Sequence, residues 1–303
     1  MNNVPNIEFR APNIQKTGIE ILDLDAFYKI ISRCKFSPSS PHRISYYCFI
    51  YITEGEGKHF IDFKHHEFKQ GSFIFVNKNQ VHAFDLVSHP QGKMINITED
   101  FFESILTNIR IPFFTPTHLV STNNPIFFLS ESLTKTCDSL LLEINKSQQN
   151  KDDPLLSQLL FSSLLVAIAG ERKSTSEHLN KTQSLRFSQF LRYIETRFTH
   201  TKDASTYAEM LHISYKSLNQ LCKQACNQTA KQLIDSHVIL EIKRRLIIGN
   251  NQIQQIAYEL GFDDVPYFVK FFKRHTQLTP SQFKEFSRSS PHLNSDNPCR
   301  FTN

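Results

Sequence analysis

The sequence lacks paired cysteines, a glycine-rich phosphate-binding loop and any long uninterrupted apolar run. None of its six cysteines is arranged as Cys-x-x-Cys, and Cys222 and Cys226 lie four apart with no second ligand pair nearby. This spacing argues against a zinc site, and unpaired thiols are typical of the cytoplasm. We therefore expect a cytoplasmic protein that holds no metal or other cofactor.

Signals for secretion, membrane insertion and catalysis are missing as well. The first ten residues are polar, without the charged-then-apolar order of a signal peptide. The most apolar window, residues 155–170, is interrupted by serines and a glutamine, and it is shorter than the roughly 20 residues that a membrane span needs. We expect a packed helix there and no membrane partner. No nucleophile, base and orienting group can be assigned together, so we expect no enzyme.

Positive charge is concentrated in the C-terminal third. Residues 184–290 contain 15 Lys and Arg against 9 Asp and Glu, whereas the rest of the chain contains 19 against 20. A basic segment suits a polyanion, because contacts with phosphates supply most of the non-specific affinity for DNA. The alternative is a solvated basic face, and charge alone does not separate the two.

Residues 44–86 have the pattern of short β-strands. Runs of β-branched and aromatic residues at 45–52, 59–63, 73–76 and 81–86 are separated by turn signals at 54–57, 71 and 77–79. Short strands at this spacing predict an antiparallel sandwich or barrel.

From about residue 124 the apolar residues recur at helical spacing. The first predicted helix carries Phe128, Leu129, Leu133, Leu140, Leu141 and Ile144. The second opens at Pro154, which suits a first helical turn, and carries Leu155, Leu156, Leu159, Leu160, Leu164 and Ile168. Most of these residues are expected in the core. A stripe this wide could also pack against a second copy of the chain, with Leu160 as a surface-facing candidate.

Two segments of the C-terminal third share one plan. In the first, a short helix at 206–211 and a turn at 212–213 precede a helix at 215–225, for which Ser214 is a good N-cap. Ala208, Leu211, Ile213, Leu218 and Leu221 are expected to pack the two helices together. The outer face is then predicted to hold Lys216, Asn219, Gln220 and Lys223. Asn and Gln can pair with adenine edges, while Lys reaches guanine or phosphate.

The second segment repeats the plan with helices at 253–260 and 263–275 around a Gly261-Phe262 turn. Its predicted inner face holds Ile253, Ile256, Ala257 and Leu260, and its core Phe262, Phe268 and Phe272. The predicted outer face holds Lys270, Lys273 and Arg274, with Val265, Pro266 and Tyr267 near the helix start, where a recognition helix meets bases. A connecting helix at 233–248, carrying Lys243, Arg244 and Arg245, would fix the separation of the two units. They could then occupy successive major grooves.

The second segment carries a family resemblance. The string Ile256-Ala-x-x-Leu-Gly-Phe262, then Tyr267-Phe268, Phe272-Lys273 and Leu278-Thr-Pro-Ser-Gln-Phe283, resembles the signature of the AraC/XylS family of regulators, and the first unit is similar in register. The resemblance covers about 185–286. It implies a regulator that binds double-stranded DNA, often an activator that works with RNA polymerase. It also implies an N-terminal domain that senses a small molecule or forms a homodimer.

Three positions depart from the family pattern. Asn227 stands where the family has Gly after the first recognition helix, and Asn tolerates a left-handed turn. Gln277 occupies the matching place in the second unit, where a left-handed conformation would cost roughly 1 kcal/mol. Ile242 replaces the usual Ala in the connecting helix, which implies local repacking.

Residues 55–86 resemble the cupin-like sensor domain of many such regulators. Metal-binding cupins have a His-x-His pair, but here His65 and His66 are adjacent and would point to opposite faces of a strand. Only His82 matches the later cupin histidine, so we expect no metal. Candidate ligand-lining residues are Tyr47, Phe49, Tyr51, Phe75 and His82, and Phe73 belongs to the same apolar group; for most of them a place in the core is the alternative.

The predicted fold class is α+β multidomain. A cupin-like antiparallel β-barrel with a helical pair is expected in residues 1–172, a linker in 173–183, an all-α domain with two helix-turn-helix units in 184–287 and a disordered tail in 288–303. The alternative function is a metal-dependent cupin enzyme fused to a DNA-binding domain, which the missing His-x-His opposes. A purely dimerising N-terminal domain is a third interpretation.

Overall fold

The computed structural model describes residues 6–7, 18–31, 38–84, 88–108, 125–149, 154–171, 179–247 and 251–289. They belong to two compact units, one within residues 6–173 and the other within residues 174–303. Residues 290–303 of the expected tail and residues 173–178 of the expected linker lie outside the described residues, whereas residues 288 and 289 end the last helix.

The first unit contains ten described strands in two five-stranded sheets. The strands are β1 (Asn6–Ile7), β2 (Ile19–Asp23), β3 (His42–Ile44), β4 (Tyr47–Glu54), β5 (Glu56–Ile61), β6 (Lys64–Lys69), β7 (Ser72–Val76), β8 (Val81–Ala83), β9 (Gln91–Ile97) and β10 (Ile126–Phe128). The first sheet has the order β1-β3-β8-β5-β6 and the second β10-β7-β4-β9-β2. Only the β1–β3 pair, among the pairings described, is parallel, so the expected antiparallel architecture is confirmed.

Strand β4 is apolar along nearly its whole length because both of its faces are buried. Successive side chains of a strand point to opposite faces. Cys48, Ile50 and Ile52 join a core that contains residues of both sheets, including Ile44, Ile61, Phe68, Ile74, Val76 and Met94. Phe49 and Tyr51 join a second core on the other face of the second sheet.

Helices cover that other face. Between β2 and β3 lies α1 (Leu24–Ile31), and the covering helices are α2 (Glu99–Asn108), α3 (Glu131–Gln149) and α4 (Pro154–Glu171). The ring of Phe49 lies 4.5 Å from Phe75 and 5.6 Å from Phe161 of α4, measured between centroids. Offset and edge-on aromatic contacts of this kind stabilise a core beyond the area they bury.

The sequence pattern was wrong about where the helical region starts. Residues 126–128 pair with β7 as strand β10, and α3 begins only at Glu131. Phe128 is 54% exposed, so it does not belong to the buried stripe of α3. The pattern also missed β1, β2, β3, β6 and β9. Strand β6 gives a weak sequence signal because Phe68 is its only apolar residue; the partly buried His66 is the other residue shielded from solvent.

Helix α4 starts at Pro154 as predicted, and it has two apolar faces. Phe161, Leu164, Leu165 and Ile168 are buried, whereas Leu155, Leu156, Leu159 and Val166 are 44–57% exposed. Leu160 packs against the core, so its predicted surface position is wrong. Within the described part of the chain, α4 is the one helix long and apolar enough to cross a membrane, a test that core helices also pass.

The second unit is all-helical in its described residues. Its helices are α5 (Lys181–Arg197), α6 (Ala204–Met210), α7 (Tyr215–Cys226), α8 (Ala230–Ile247), α9 (Ile253–Glu259), α10 (Val265–Thr276) and α11 (Pro280–Ser289). Helix α5 begins inside the range expected for the linker. Its start is fixed by a capping box, in which Asn180 and Gln183 each accept the other's backbone N–H.

Candidate nucleic-acid interface

Helices α6 and α7 form the first helix-turn-helix unit. Ala208, Leu211, Leu218 and Leu221 are buried between the helices and their neighbours, as predicted. The turn is tight because His212 adopts a positive φ of 53°. Ser214 caps α7 by accepting the backbone N–H of Ser217 at 3.1 Å, which satisfies one of the unpaired donors at the helix start.

Helices α9 and α10 form the second unit on the same plan. Its inner residues Ile256, Ala257, Leu260, Phe262, Phe268 and Phe272 are buried, while Ile253 is partly buried. Gly261 has the expected left-handed conformation, with φ of 68°. Asp264 caps α10 by accepting the backbone N–H of Tyr267 at 2.6 Å, and Pro266 occupies the first turn.

The two units end alike. Asn227 and Gln277 both adopt the left-handed conformation, with φ of 58° and 63°. Their backbone N–H groups donate to the carbonyls of Lys223 and Lys273 at 3.0 Å and 2.9 Å. The structure therefore confirms left-handed turns at these two non-glycine residues. The conformation costs roughly 1 kcal/mol at Gln277, whereas asparagine tolerates it.

Most of the predicted outer-face residues of α7 and α10 are exposed. They are Lys216, Gln220 and Lys223 on α7, and Pro266, Tyr267, Lys270, Lys273 and Arg274 on α10, while Val265 is half-buried. Each face combines cations with groups that can contact base edges or phosphates. These helices can therefore offer DNA a basic, polar surface.

The connecting helix α8 offers less positive charge than its sequence suggests. Arg244 is 2% exposed and donates to the Glu241 carboxylate at 2.5 Å. Lys243 lies 5.7 Å from the ring centre of Phe283. Part of the basic excess thus holds the unit together and does not face a partner.

Asn219 is not on the outer face, contrary to the sequence prediction. It is half-buried, and its Oδ1 accepts the backbone N–H of Ala230 at 3.0 Å. Ala230 begins α8, so Asn219 fastens the recognition helix to the start of the connecting helix. The second unit has Val269 and Pro280 at the corresponding positions. Proline has no N–H to satisfy, and this paired difference is the signal that could have revealed the role of Asn219.

Four of the five candidate ligand residues of the first unit lie together in one core, and His82 lies apart from them. Tyr47, Phe49, Tyr51 and Phe75 lie in the layer between the second sheet and the helices. His82 lies on β8 of the first sheet. Phe73 is likewise core. His65 is exposed and His66 half-buried on the β5–β6 hairpin, so the two side chains differ in exposure as opposite faces of a strand require.

Three buried histidines lie close together at β8: His82 on β8 itself, His42 on β3 and His59 on β5. The sequence pattern identified only His82. His42 faces His82 across the β3–β8 pair, and His59 Nε2 lies 3.3 Å from His82 Nδ1. Burial lowers the pKa of His42 to about 4, so this imidazole is neutral at pH 7. Burial, His42 and His59 lower the pKa of His82. The Nε2 atom of His82 is buried without a hydrogen-bond partner.

These histidines do not converge on a metal position. In the described ranges, no group of three or more His, Cys, Asp or Glu side chains is arranged to hold a metal ion. Strand register places His42 and His59 beside His82. Register is a long-range property, so the spacing of these residues along the chain gave no signal.

Comparison with known proteins covers both units. Residues 36–165 match the model of an AraC-like ligand binding domain, and residues 207–285 match that of a helix-turn-helix domain. Together with two capped helix-turn-helix units in a basic helical domain, these matches define a DNA-binding transcription regulator. The chain belongs to the AraC/XylS family of transcription regulators.

Its relatives are distant but similar along most of their length. The chain is 22% identical to the HTH-type transcriptional activator RhaS of Mannheimia succiniciproducens over 78% of this chain and 85% of that protein. It is 20% identical to RhaS of an Enterobacter species over 80% and 87%. The solved structure of ToxT from Vibrio cholerae aligns with 89% of this chain and 98% of its own, at 16% identity and a TM-score of 0.44.

The two neighbouring residues Asn219 and Gln220 should respond differently to substitution. Asn219→Ala is expected to lower the free energy of unfolding by about 1 kcal/mol, because the Ala230 N–H loses its acceptor. Gln220→Ala is exposed and should change it by less than about 0.5 kcal/mol. Chemical denaturation of both variants measures this difference.

DNA binding completes the comparison. On a duplex selected from a random library by the unmodified chain, Gln220→Ala should lose about 1–3 kcal/mol of preference over a scrambled duplex. Folded Asn219→Ala should keep that preference. An Asn219→Ala variant with normal stability and lost preference would show that Asn219 reads bases.

Proposed function

We propose that this chain is a transcriptional activator that reads DNA with both α7 and α10. The observation that carries the proposal is the repeated, capped helix pair, which presents exposed polar and basic side chains at matching positions of both units, Lys223 and Lys273 among them. Loss of sequence preference in Gln220→Ala, described above, tests this function. Full retention of preference by that variant would contradict the assigned face of α7.

The exposed residues divide by their position along each helix. Lys216 and Gln220 on α7 lie nearest the helix start, where side chains of a recognition helix reach bases. Val265, Pro266, Tyr267 and Lys270 have that role on α10. Lys223, Lys273 and Arg274 lie a turn further on and are assigned to phosphates. Asn219 is not assigned to base contacts, because its side-chain oxygen accepts a hydrogen bond from the backbone of Ala230.

The sign of regulation follows from the relatives. The named relatives are transcriptional activators, which supports activation and a functional contact with RNA polymerase. No catalytic step is assigned to the chain, and the cytoplasm is its expected location. The alternative of a metal-dependent enzyme has no support from the histidines, because within the described ranges no three His, Cys, Asp or Glu side chains are arranged to hold a metal ion.

A small-molecule effector is assigned to the first unit. The match to an AraC-like ligand binding domain supports this, and the unpartnered Nε2 of His82 is a group that a bound molecule could satisfy. A compound that raises the melting temperature of the unmodified chain should raise that of His82→Gln by less than about half as much. Equal shifts in both proteins would exclude His82 from the site.

The exposed face of α4 is assigned to a second copy of the chain. Leu155, Leu159, Ser163 and Val166 recur at helical spacing along this face, and Leu156 flanks it. Three of the four stripe residues are apolar and about half exposed, so the stripe gains free energy when it is removed from water. We therefore infer a homodimer that pairs these faces.

A charge on this face should separate the copies. Leu159→Glu is expected to make the chain monomeric at micromolar concentration, measured by sedimentation, because the interface would bury a carboxylate without a partner. Leu142→Glu on α3 is the matched control, since Leu142 is 54% and Leu159 56% exposed; it should stay dimeric. If the unmodified chain is monomeric, the assignment is overturned, whether or not the chain binds lipid vesicles.

A further inference from the structure

A short loop in front of the first helix-turn-helix unit contacts the turn of the second. The loop comprises residues 199–202, between α5 and α6. The Lys202 ammonium group donates to the carbonyls of Leu260 and Gly261, each at 2.8 Å. These carbonyls follow the last turn of α9, where backbone oxygens lack helical partners and a cation is favourable.

The contact is close as well as polar. A Cβ atom on Gly261 would lie 1.7 Å from the carbonyl oxygen of Thr199, so only glycine allows the turn to approach the loop this closely. The ammonium group of Lys202 also lies 4.4 Å from the ring centre of Phe262, within the range of a cation–π contact. The turn Leu260–Gly261–Phe262 is therefore held at a defined distance from the loop.

The loop is anchored to the first unit and to the connecting helix. The Tyr207 hydroxyl of α6 donates to the carbonyl of Thr201 at 3.1 Å. The Lys231 ammonium group of α8 donates to the carbonyl of Lys202 at 3.1 Å and to the Asp235 carboxylate at 2.7 Å. A continuous chain of contacts thus runs from α6 through the loop to the turn before α10.

We propose that Lys202 is a positioning residue that sets the spacing between the recognition helices α7 and α10, and thereby the spacing of a two-part DNA site. Lys202 itself does not need to touch DNA. The connecting helix α8 packs against the helices of both units, and Lys202 supplies a further, direct attachment between the first unit and the turn of the second. The direct contact therefore restricts a rotation of one helix-turn-helix unit relative to the other that α8 alone would permit. The proposal rests on DNA reading by both helices.

The test measures spacing tolerance with the full-length chain. The unmodified chain first selects a duplex from a random library, and one base pair is then inserted or removed between the two selected blocks of sequence. We expect the unmodified chain to lose about tenfold in affinity, comparable to a mismatched base pair. Lys202→Met should lose less than about threefold and keep its affinity for each isolated block within about twofold.

Three further variants control for charge and folding. Lys202→Arg keeps a cationic donor and should retain the spacing preference. Lys181→Met removes one positive charge from an exposed position of α5 and should behave like the unmodified chain. Lys202→Gln keeps a polar side chain if the methionine variant fails to fold, and it should show the same relaxed spacing as Lys202→Met.

The failures are distinguishable. If Lys202→Met or Lys202→Gln binds all spacings more weakly but with the unmodified preference, Lys202 contributes stability only and the proposal is overturned. If selection recovers one block or none, DNA reading by both helices is contradicted. A large loss of preference in Lys181→Met would assign the effect to charge and not to the contact of Lys202.

Discussion

Burial of the connecting helix α8 on nearly every side is the constraint on which the C-terminal unit depends. Leu233, Ile234, Val238, Ile242 and Leu246 are all fully buried, and α8 packs against each of the six other described helices of its unit. Exposing these apolar side chains to water would cost free energy, so α8 is stable only when the other helices cover it. Both recognition helices are therefore placed by the same central element.

The polar groups of α8 are adapted to this burial. The Glu241 carboxylate and the Arg244 guanidinium neutralise each other in the interior; removal of one partner from such a pair is costly because the other charge stays buried. Asn219 accepts the backbone N–H of the first residue of α8, and Lys231 of α8 donates to the carbonyl of Lys202. The amide of Asn219 and the ammonium of Lys202 thus serve the geometry of the interface, although neither is assigned to DNA.

Local signals explain how much of the fold and the site was predictable. Both helix pairs were predicted within a few positions of their observed bounds. The signals for them, namely helix periodicity, the cap at Ser214 and the glycine at 261, depend only on residues close together in the chain. The same local signals did not predict the position of Asn219, because its hydrogen-bond partner, the N–H of Ala230, belongs to the next helix. His42 and His59 were missed because their neighbourhood with His82 is created by strand register.

In the N-terminal unit, the prediction of ligand-lining residues failed because strands of the second sheet are buried on both faces. The aromatic residues of β4 and β7 look like the lining of a ligand cavity, but helices α2 to α4 cover that face of the sheet and make it a core. A strand in the middle of two packed layers loses the alternation that marks an inner and an outer face. The sequence indicates that such a strand is buried, but the elements against which it packs are decided by the position of the helices.

The central claim, that α7 and α10 read one DNA duplex together, is tested most directly by hydroxyl-radical footprinting of the full-length chain on a selected duplex. We expect two protected stretches on one side of the duplex, with centres about one helical turn apart, roughly 10 base pairs. A single protected stretch, unchanged by Lys270→Ala in α10, would contradict it.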